Sequence, residues 1–210
     1  MCLKLVILVI KLTVKIYKIQ SIRREDLLKD SEGNFMDQNW LKQIPVEIGN
    51  YFAGFVDGEG SFNVSLRKRN DSKVLWQVIL TFNVAQKDIT VLALLKHHLG
   101  CGRIDHRKDG VHQYIVQNHT ALKEKIIPFF DRFGFLSASK KRNYSLFSKI
   151  ARLVFASQHL NQEGLLEIVK LREDLNEGKG RTRKHNLTNF KESFSKNPQR
   201  LNAESIQLME

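Results

Sequence analysis

The residues whose types and spacing best suit chemistry lie in the run Asp57-Gly58-Glu59-Gly60. The preceding segment 45–56 predicts a helix, because apolar residues recur at three- and four-residue steps and Pro45 suits a first turn. Gly58 and Gly60 predict the end of that helix, so the two carboxylates lie at its negative pole. A bound cation would offset the repulsion there. Carboxylates that are simply solvated at a helix end are the alternative.

Small residues before the acids predict a close helix contact. Ala53, Gly54 and Gly58 leave one side of the helix almost bare of side chains. Another backbone can approach such a face closely. The pattern therefore predicts a partner helix.

Composition limits the classes of function. The 210 residues include 42% hydrophobic residues, enough for one globular domain, and the net charge is +12. This excess suits a phosphate-rich partner, although a ribosome-associated or membrane-surface protein would share it. Cys2 and Cys101 are far apart and no Cys/His cluster has metal-ligand spacing, which argues against a zinc site or a disulfide framework.

The N-terminal run 1–20 is apolar but carries four lysines. Its longest uninterrupted apolar stretch, 5–10, is far shorter than the roughly 20 residues of a spanning helix, so no membrane partner is expected. An organelle presequence is one reading and an extension outside the core is the other. We divide the chain into an extension and linker (1–44), a domain (45–185) and a polar tail (186–210).

The elements after the acids predict an α+β fold. Segments 62–69 and 77–84 alternate as a hairpin, and a helix over 88–99 leads to a second hairpin that turns at 108–110. Helices are predicted over 119–127, 143–156 and 161–176. This order gives a four-stranded antiparallel sheet with helices on one face.

The open face of that sheet is rich in side chains that reach base edges in DNA. Each member alone is more readily explained as a solvated strand residue, whereas the set on one face of a basic chain indicates a DNA-binding surface. A later run without acids (Lys179, Arg181, Arg183, Lys184) predicts phosphate contacts or a solvated tail. The predicted face comprises Asn63, Ser65, Arg67, Arg69, Gln77, Ile79, Thr81, Asn83, Arg107 and Gln113.

Five ordered blocks within about residues 45–185 resemble the LAGLIDADG homing endonuclease family. The first is the signature itself, with Glu in place of its second Asp. The blocks are FAGFVDGEG (52–60), TFNVAQK (81–87), GCGRI (100–104), IIPFF (126–130) and HLNQEGL (159–165).

The resemblance implies an αββαββα fold whose curved sheet lies as a saddle on DNA. It assigns Glu59 as the metal-binding acid, Gly58 as a carbonyl ligand and Asp57 as a more structural acid. It also places Gln86 near the attacking water and Lys140 near the phosphate, although Lys141 beside it blurs the register by one residue. Carboxylate-held Mg²⁺ would supply the charge neutralisation and activated water that phosphodiester hydrolysis requires.

A single signature resembles the family's homodimers, with Phe52, Ala53, Gly54 and Phe55 at the interface and a pseudo-palindromic double-stranded DNA site. The resemblance therefore predicts a Mg²⁺-dependent, site-specific double-strand DNA endonuclease. It would promote intron mobility and be encoded in a chloroplast or mitochondrion. An intron RNA maturase is the main alternative, and an intact Glu59 favours the nuclease over it. A DNA-binding regulator is a weaker alternative, because such a protein need not keep this acid.

Overall fold

The computed structural model describes residues 39–69, 76–176, 188 and 190. The described residues from Leu41 onward belong to one compact unit, and all contacts below lie within it. Within the described part of the chain, no helix is long and apolar enough to cross a membrane. The apolar run 1–20 and the turn 70–73 lie outside the described residues.

The first helical elements are α1 (Asn39–Lys42) and α2 (Val46–Glu59). The prediction that Gly58 stops the helix is wrong, because α2 continues through both acids and ends at Glu59, with Gly60 as its C-cap. Gly60 has extended backbone angles and its N–H donates to the carbonyl of Val56. A Cβ at this glycine would lie 2.4 Å from Val56 Cγ1, so the tight exit from the helix requires glycine.

Four antiparallel strands form one sheet in the order β1-β2-β4-β3. They are β1 (Gly60–Lys68), β2 (Trp76–Gln86), β3 (Arg103–His106) and β4 (His112–Val116). Between the hairpins lies α3 (Ile89–Leu99), which Asp88 caps by accepting from the N–H of Thr90 at 2.8 Å.

The C-terminal half of the described unit is helical. It comprises α4 (His119–Ala121), a π-helical turn (Leu122–Ile126), α5 (Ile127–Phe133), α6 (Ala138–Phe155), a 3₁₀ turn (Gln158–Leu160) and α7 (Gln162–Glu173).

Two predicted helix boundaries in this half are wrong. The helix predicted over 119–127 continues to Phe133, because the π-helical turn leads directly into Pro128 in the first turn of α5, where its missing N–H is tolerated. The helix predicted to begin at 143 begins at Ala138, because Ser137 caps it.

The inner face of the sheet carries the core. Along β1 and β2 buried residues alternate with partly or fully exposed ones, as the period-two pattern predicts. Phe62, 1% exposed, packs against Phe82 in the sheet and against Phe130 and Phe147 of the helical layer. The predicted α+β architecture is confirmed.

Candidate active site

Glu59 is an exposed carboxylate at the last residue of α2. Among the described residues it accepts no hydrogen bond. Carbonyl groups in the last turn of a helix also lack partners within the helix. Free acidic and carbonyl oxygens therefore meet where α2 passes into β1.

The carboxylate of Asp57 links the end of α2 to the start of α6. Its carboxylate accepts from the N–H groups of Leu136 (3.1 Å) and Ser137 (2.9 Å), and also from the hydroxyl of Ser137. Burial opposes its ionisation, but the bonds from Ser137 and Leu136 and the charge of Lys140 prevail and lower its pKa. Asp57 thus has the structural role that the resemblance implies.

Lys140 lies in the first turn of α6, three residues beyond Ser137. Ser137 caps α6 by accepting from the N–H of Lys140 at 3.2 Å, and Lys140 Nζ donates to the carbonyl of Gly60. Partial burial lowers the pKa of Lys140, while the charges of Asp57 and Glu59 oppose that shift. Lys141 is exposed, whereas Lys140 contacts the end of α2.

We predict that Asp57→Asn lowers the free energy of unfolding at pH 7 by about 1–2 kcal/mol, because an amide group cannot accept all of these bonds. A carboxyl whose pKa is lowered on folding stabilises the protein above its unfolded pKa and loses that contribution as pH falls. The difference between wild type and variant should therefore shrink below about pH 3.8, the ordinary pKa of aspartate. Urea unfolding at pH 7 and pH 3 measures it.

Asp88→Asn is the matched control, since it also removes a carboxylate that caps a helix, here α3. If Asp57 positions Lys140, only Asp57→Asn should also slow DNA cleavage. Equal effects of the two variants on cleavage would contradict this role for Asp57.

Gln86 ends β2, on the strand next to the start of β1. Its side-chain oxygen accepts from the N–H of Lys87 at 2.8 Å, and no hydrogen bond joins it to Glu59 within the described residues. The structure thus brings Gln86 to the same end of the sheet as the acid without placing it in contact. Its role beside the attacking water stays a prediction.

The oxygens at the end of α2 fit a hard divalent cation such as Mg²⁺ or Ca²⁺, which prefers carboxylate and carbonyl ligands. Glu59 is exposed and unpaired within the described part of the chain, so it is free to bind. No group of three or more His, Cys, Asp or Glu side chains that could hold a metal occurs among the described residues. One copy therefore offers a partial ligand set.

The strand residues of the predicted DNA-binding set on β1 and β2 lie on the outward face of the sheet. The register pairs Asn63 with Thr81 and Arg67 with Gln77 across β1 and β2. Arg107 departs from that set, because it lies in the turn after β3 and its guanidinium pairs with Asp109 at 2.7 Å. Lys179, Arg181, Arg183 and Lys184 lie outside the described residues.

Two of the four residues predicted to lie at the helix interface are buried within their own chain. Phe52 and Ala53 are 2% and 4% exposed, because they face the core of their own chain. Gly54 is exposed and Phe55 half-buried. The available face thus consists of Gly54, Phe55, Gly58 and the exposed Tyr51.

Sequence reasoning missed two elements of the site. Ser137 links Asp57 to Lys140, and the available signal was its position before a helical pattern, where serine is a preferred cap. The second is a polar network on the outward face, in which Asn63 Nδ2 donates to Ser61 Oγ (3.0 Å) and Asn83 Oδ1 (3.4 Å). Cross-strand register is needed to find it.

Residues 52–151 match the family model described as LAGLIDADG endonuclease. The crystal structure of the archaeal intron-encoded homing endonuclease I-Vdi141I complexed with DNA is similar, with 31% identity, a TM-score of 0.66 and coverage of 70% of this chain and 94% of that one. The homing endonuclease I-SmaMI, bound to uncleaved DNA in the presence of calcium ions, gives 32% identity, a TM-score of 0.61 and coverage of 72% and 49%.

An uncharacterized cox1 intron-2 protein of 37.2 kDa from Schizosaccharomyces pombe is 32% identical over 67% of this chain and 38% of its own length. The chain spans about a third of the length of the first curated fungal relatives that it matches. The similarity to I-Vdi141I, by contrast, extends over nearly all of that protein. On the signature, the fold and these similarities, the chain belongs to the LAGLIDADG endonuclease family.

Proposed function

We propose that this chain is a site-specific DNA endonuclease that hydrolyses phosphodiester bonds as a homodimer with bound Mg²⁺. The observation that carries the proposal is that an exposed, unpaired Glu59 lies near Lys140, whose ammonium group donates to the carbonyl of Gly60. Both groups lie where α2 enters the sheet, beside the face predicted to contact DNA.

Each side chain has a defined task in this reaction. Glu59 and the carbonyl of Gly58 would hold the divalent cation, which when bound supplies charge neutralisation and an activated water. Lys140 lies close enough for the Glu59 charge to act on its pKa. Its ammonium group can offset negative charge that develops on the phosphate.

The outward sheet face supports DNA as the substrate. Arginine, asparagine and glutamine side chains read base edges in the major groove, and Arg67 pairs in register with Gln77 on that face. I-Vdi141I and I-SmaMI, which are similar to this chain, are both described in complex with DNA. The net charge of +12 suits a phosphate backbone.

The count of catalytic acids supports a homodimer. Cleavage of both strands requires two hydrolytic centres, and the signature occurs once in this chain. The exposed side of α2 suits a second copy, since Tyr51 is 53% exposed and nothing lies within 4 Å of a Cβ built on Gly54 or Gly58. Two such faces can approach closely around a dyad.

We predict that Gly54→Leu weakens the dimer without unfolding the chain. Leucine favours a helix more than glycine does, and a Cβ at position 54 meets nothing within 4 Å beyond its own helix. Overpacking at the helix contact should cost about 1–3 kcal/mol, or roughly five- to 150-fold in the dimer dissociation constant. Sedimentation equilibrium measures this change.

Ala93→Leu serves as the control, because Ala93 is an exposed residue of α3 and gains similar apolar bulk away from α2. This variant should dimerise like wild type. A wild-type chain that stays monomeric on its full DNA site would contradict the dimer, whatever the variant does.

The function is tested by incubating purified protein and Mg²⁺ with a library of randomised double-stranded DNA and sequencing the cut ends. We expect cuts confined to one related set of pseudo-palindromic sites. Absence of cutting, together with tight binding to structured intron RNA, would favour the maturase. Glu59 and Lys140 together support the nuclease, since RNA binding needs neither.

The biological role proposed is intron mobility in an organelle genome. The relative from Schizosaccharomyces pombe is a cox1 intron-2 protein, which supports an organellar intron as the coding location. The role is tested by whether an intron is inserted at the mapped cleavage site when the protein is present. Chloroplast and mitochondrion are distinguished by which organelle genome contains that site.

A further inference from the structure

Two histidines meet at the end of the second hairpin. His106 is the last residue of β3, His112 the first of β4, and the two are register partners. Their Nδ1 atoms are 2.8 Å apart, and the rings are nearly perpendicular with centroids 4.8 Å apart. The five intervening residues gave no indication of a ligand pair in the sequence.

The facing nitrogens are slightly closer together than two ligands of one transition-metal ion. Zinc binds imidazole nitrogen at about 2.0–2.1 Å, so two such ligands on one ion are roughly 2.9–3.4 Å apart. A slight rotation of either ring brings the observed pair into that range. Each ring would bind the ion through Nδ1 as the neutral tautomer whose proton is on Nε2.

We propose that His106 and His112 form a two-histidine site for a borderline divalent transition metal such as Zn²⁺ or Ni²⁺. Imidazole suits these ions, whereas Mg²⁺ prefers the oxygens at the end of α2. The site is therefore chemically distinct from the Glu59 position. The described residues provide no group of three acidic, histidine or cysteine ligands, so the remaining positions on the ion are left to solvent or an external donor.

Binding would join two strands at the end of the sheet that carries Gln86. The register places Gln86 opposite His112 and His112 opposite His106, so the three residues form one cross-strand row. A metal on the two histidines would hold β3 against β4 at their shared turn. Occupancy should therefore stabilise the folded chain, because the unfolded chain does not hold the two rings together.

The test is calorimetric titration of the full chain, without an oligohistidine tag, with ZnCl₂ and with NiCl₂, in parallel with thermal unfolding. We expect binding of each ion and a rise in Tm. His106→Ala and His112→Ala should each weaken the affinity about tenfold or more, as loss of one of two ligands implies. His106→Gln repeats the test with a side chain of similar size, so that a folding defect of the alanine variant cannot decide the result.

His97→Ala is the control, since His97 is exposed on α3 next to His98 but lies outside the pair. It should bind like wild type. If wild type binds the metal no more tightly than His106→Gln does, the proposal is overturned, and the two rings are joined only by a hydrogen bond. Loss of binding in His97→Ala would also overturn it, since the ion would then lie elsewhere. None of these readouts depends on DNA cleavage, so they stand apart from the proposed function.

Discussion

Glu59→Gln is expected to abolish double-strand cleavage while specific DNA binding stays near wild type. The amide keeps the size of the side chain but removes the negative charge that we propose holds a divalent cation. Glu59 is exposed and accepts no hydrogen bond among the described residues, so the substitution disturbs neither α2 nor the sheet. The loss should therefore appear in the rate of cleavage and not in folding.

The measurement compares cleavage of a supercoiled plasmid carrying the mapped site at increasing Mg²⁺ with binding of the same site in Ca²⁺. Glu47→Gln is the control, because Glu47 is an exposed acid in the first turn of the same helix. It should cleave like wild type. Cleavage by Glu59→Gln at Mg²⁺ concentrations that suffice for wild type would refute the assignment of Glu59.

The sheet and the acidic helix end could be predicted from sequence because their signals are local. Strands show period-two alternation over adjacent residues, and Asp57 to Gly60 lie within one turn. The periodicity predicted an apolar face on α2, but it did not distinguish the residues that pack in the core of the chain from those available to a partner. Phe52 and Ala53 turn inward, so the predicted interface was shifted to the wrong side of the helix at those two positions.

The remaining parts of the site depend on contacts between distant segments. The bonds from Ser137 to Asp57 join residues 80 positions apart, and no local pattern reports them. The pair His106 and His112 likewise needs the register of β3 against β4, since a shift of one residue would send the rings to opposite faces. Three-dimensional placement, and not residue type, was the missing information.

A long-range contact also distinguishes two adjacent lysines. Lys140 and Lys141 are adjacent in sequence, but only Lys140 turns toward the end of α2, where its ammonium group donates to the carbonyl of Gly60. Lys140→Met is expected to lower the cleavage rate by about 10²–10³-fold, the usual cost of removing a positioned charge that stabilises a transition state. Single-turnover cleavage at saturating Mg²⁺ measures the effect.

Lys141→Met is the matched control, since it removes the same charge from the same turn of α6 on the exposed side. A purely electrostatic attraction to DNA would make the two variants equal, whereas a positioned role predicts a loss only at Lys140.

The pH profile of cleavage separates the two roles of Lys140 further. Burial lowers the pKa of Lys140, so wild-type cleavage should fall with rising pH before an ordinary lysine would lose its proton. Lys140→Arg keeps its charge at every such pH, and any activity it retains should lack that alkaline limb. An alkaline limb that persists unchanged in Lys140→Arg would assign the titration to another group and remove Lys140 from the reaction.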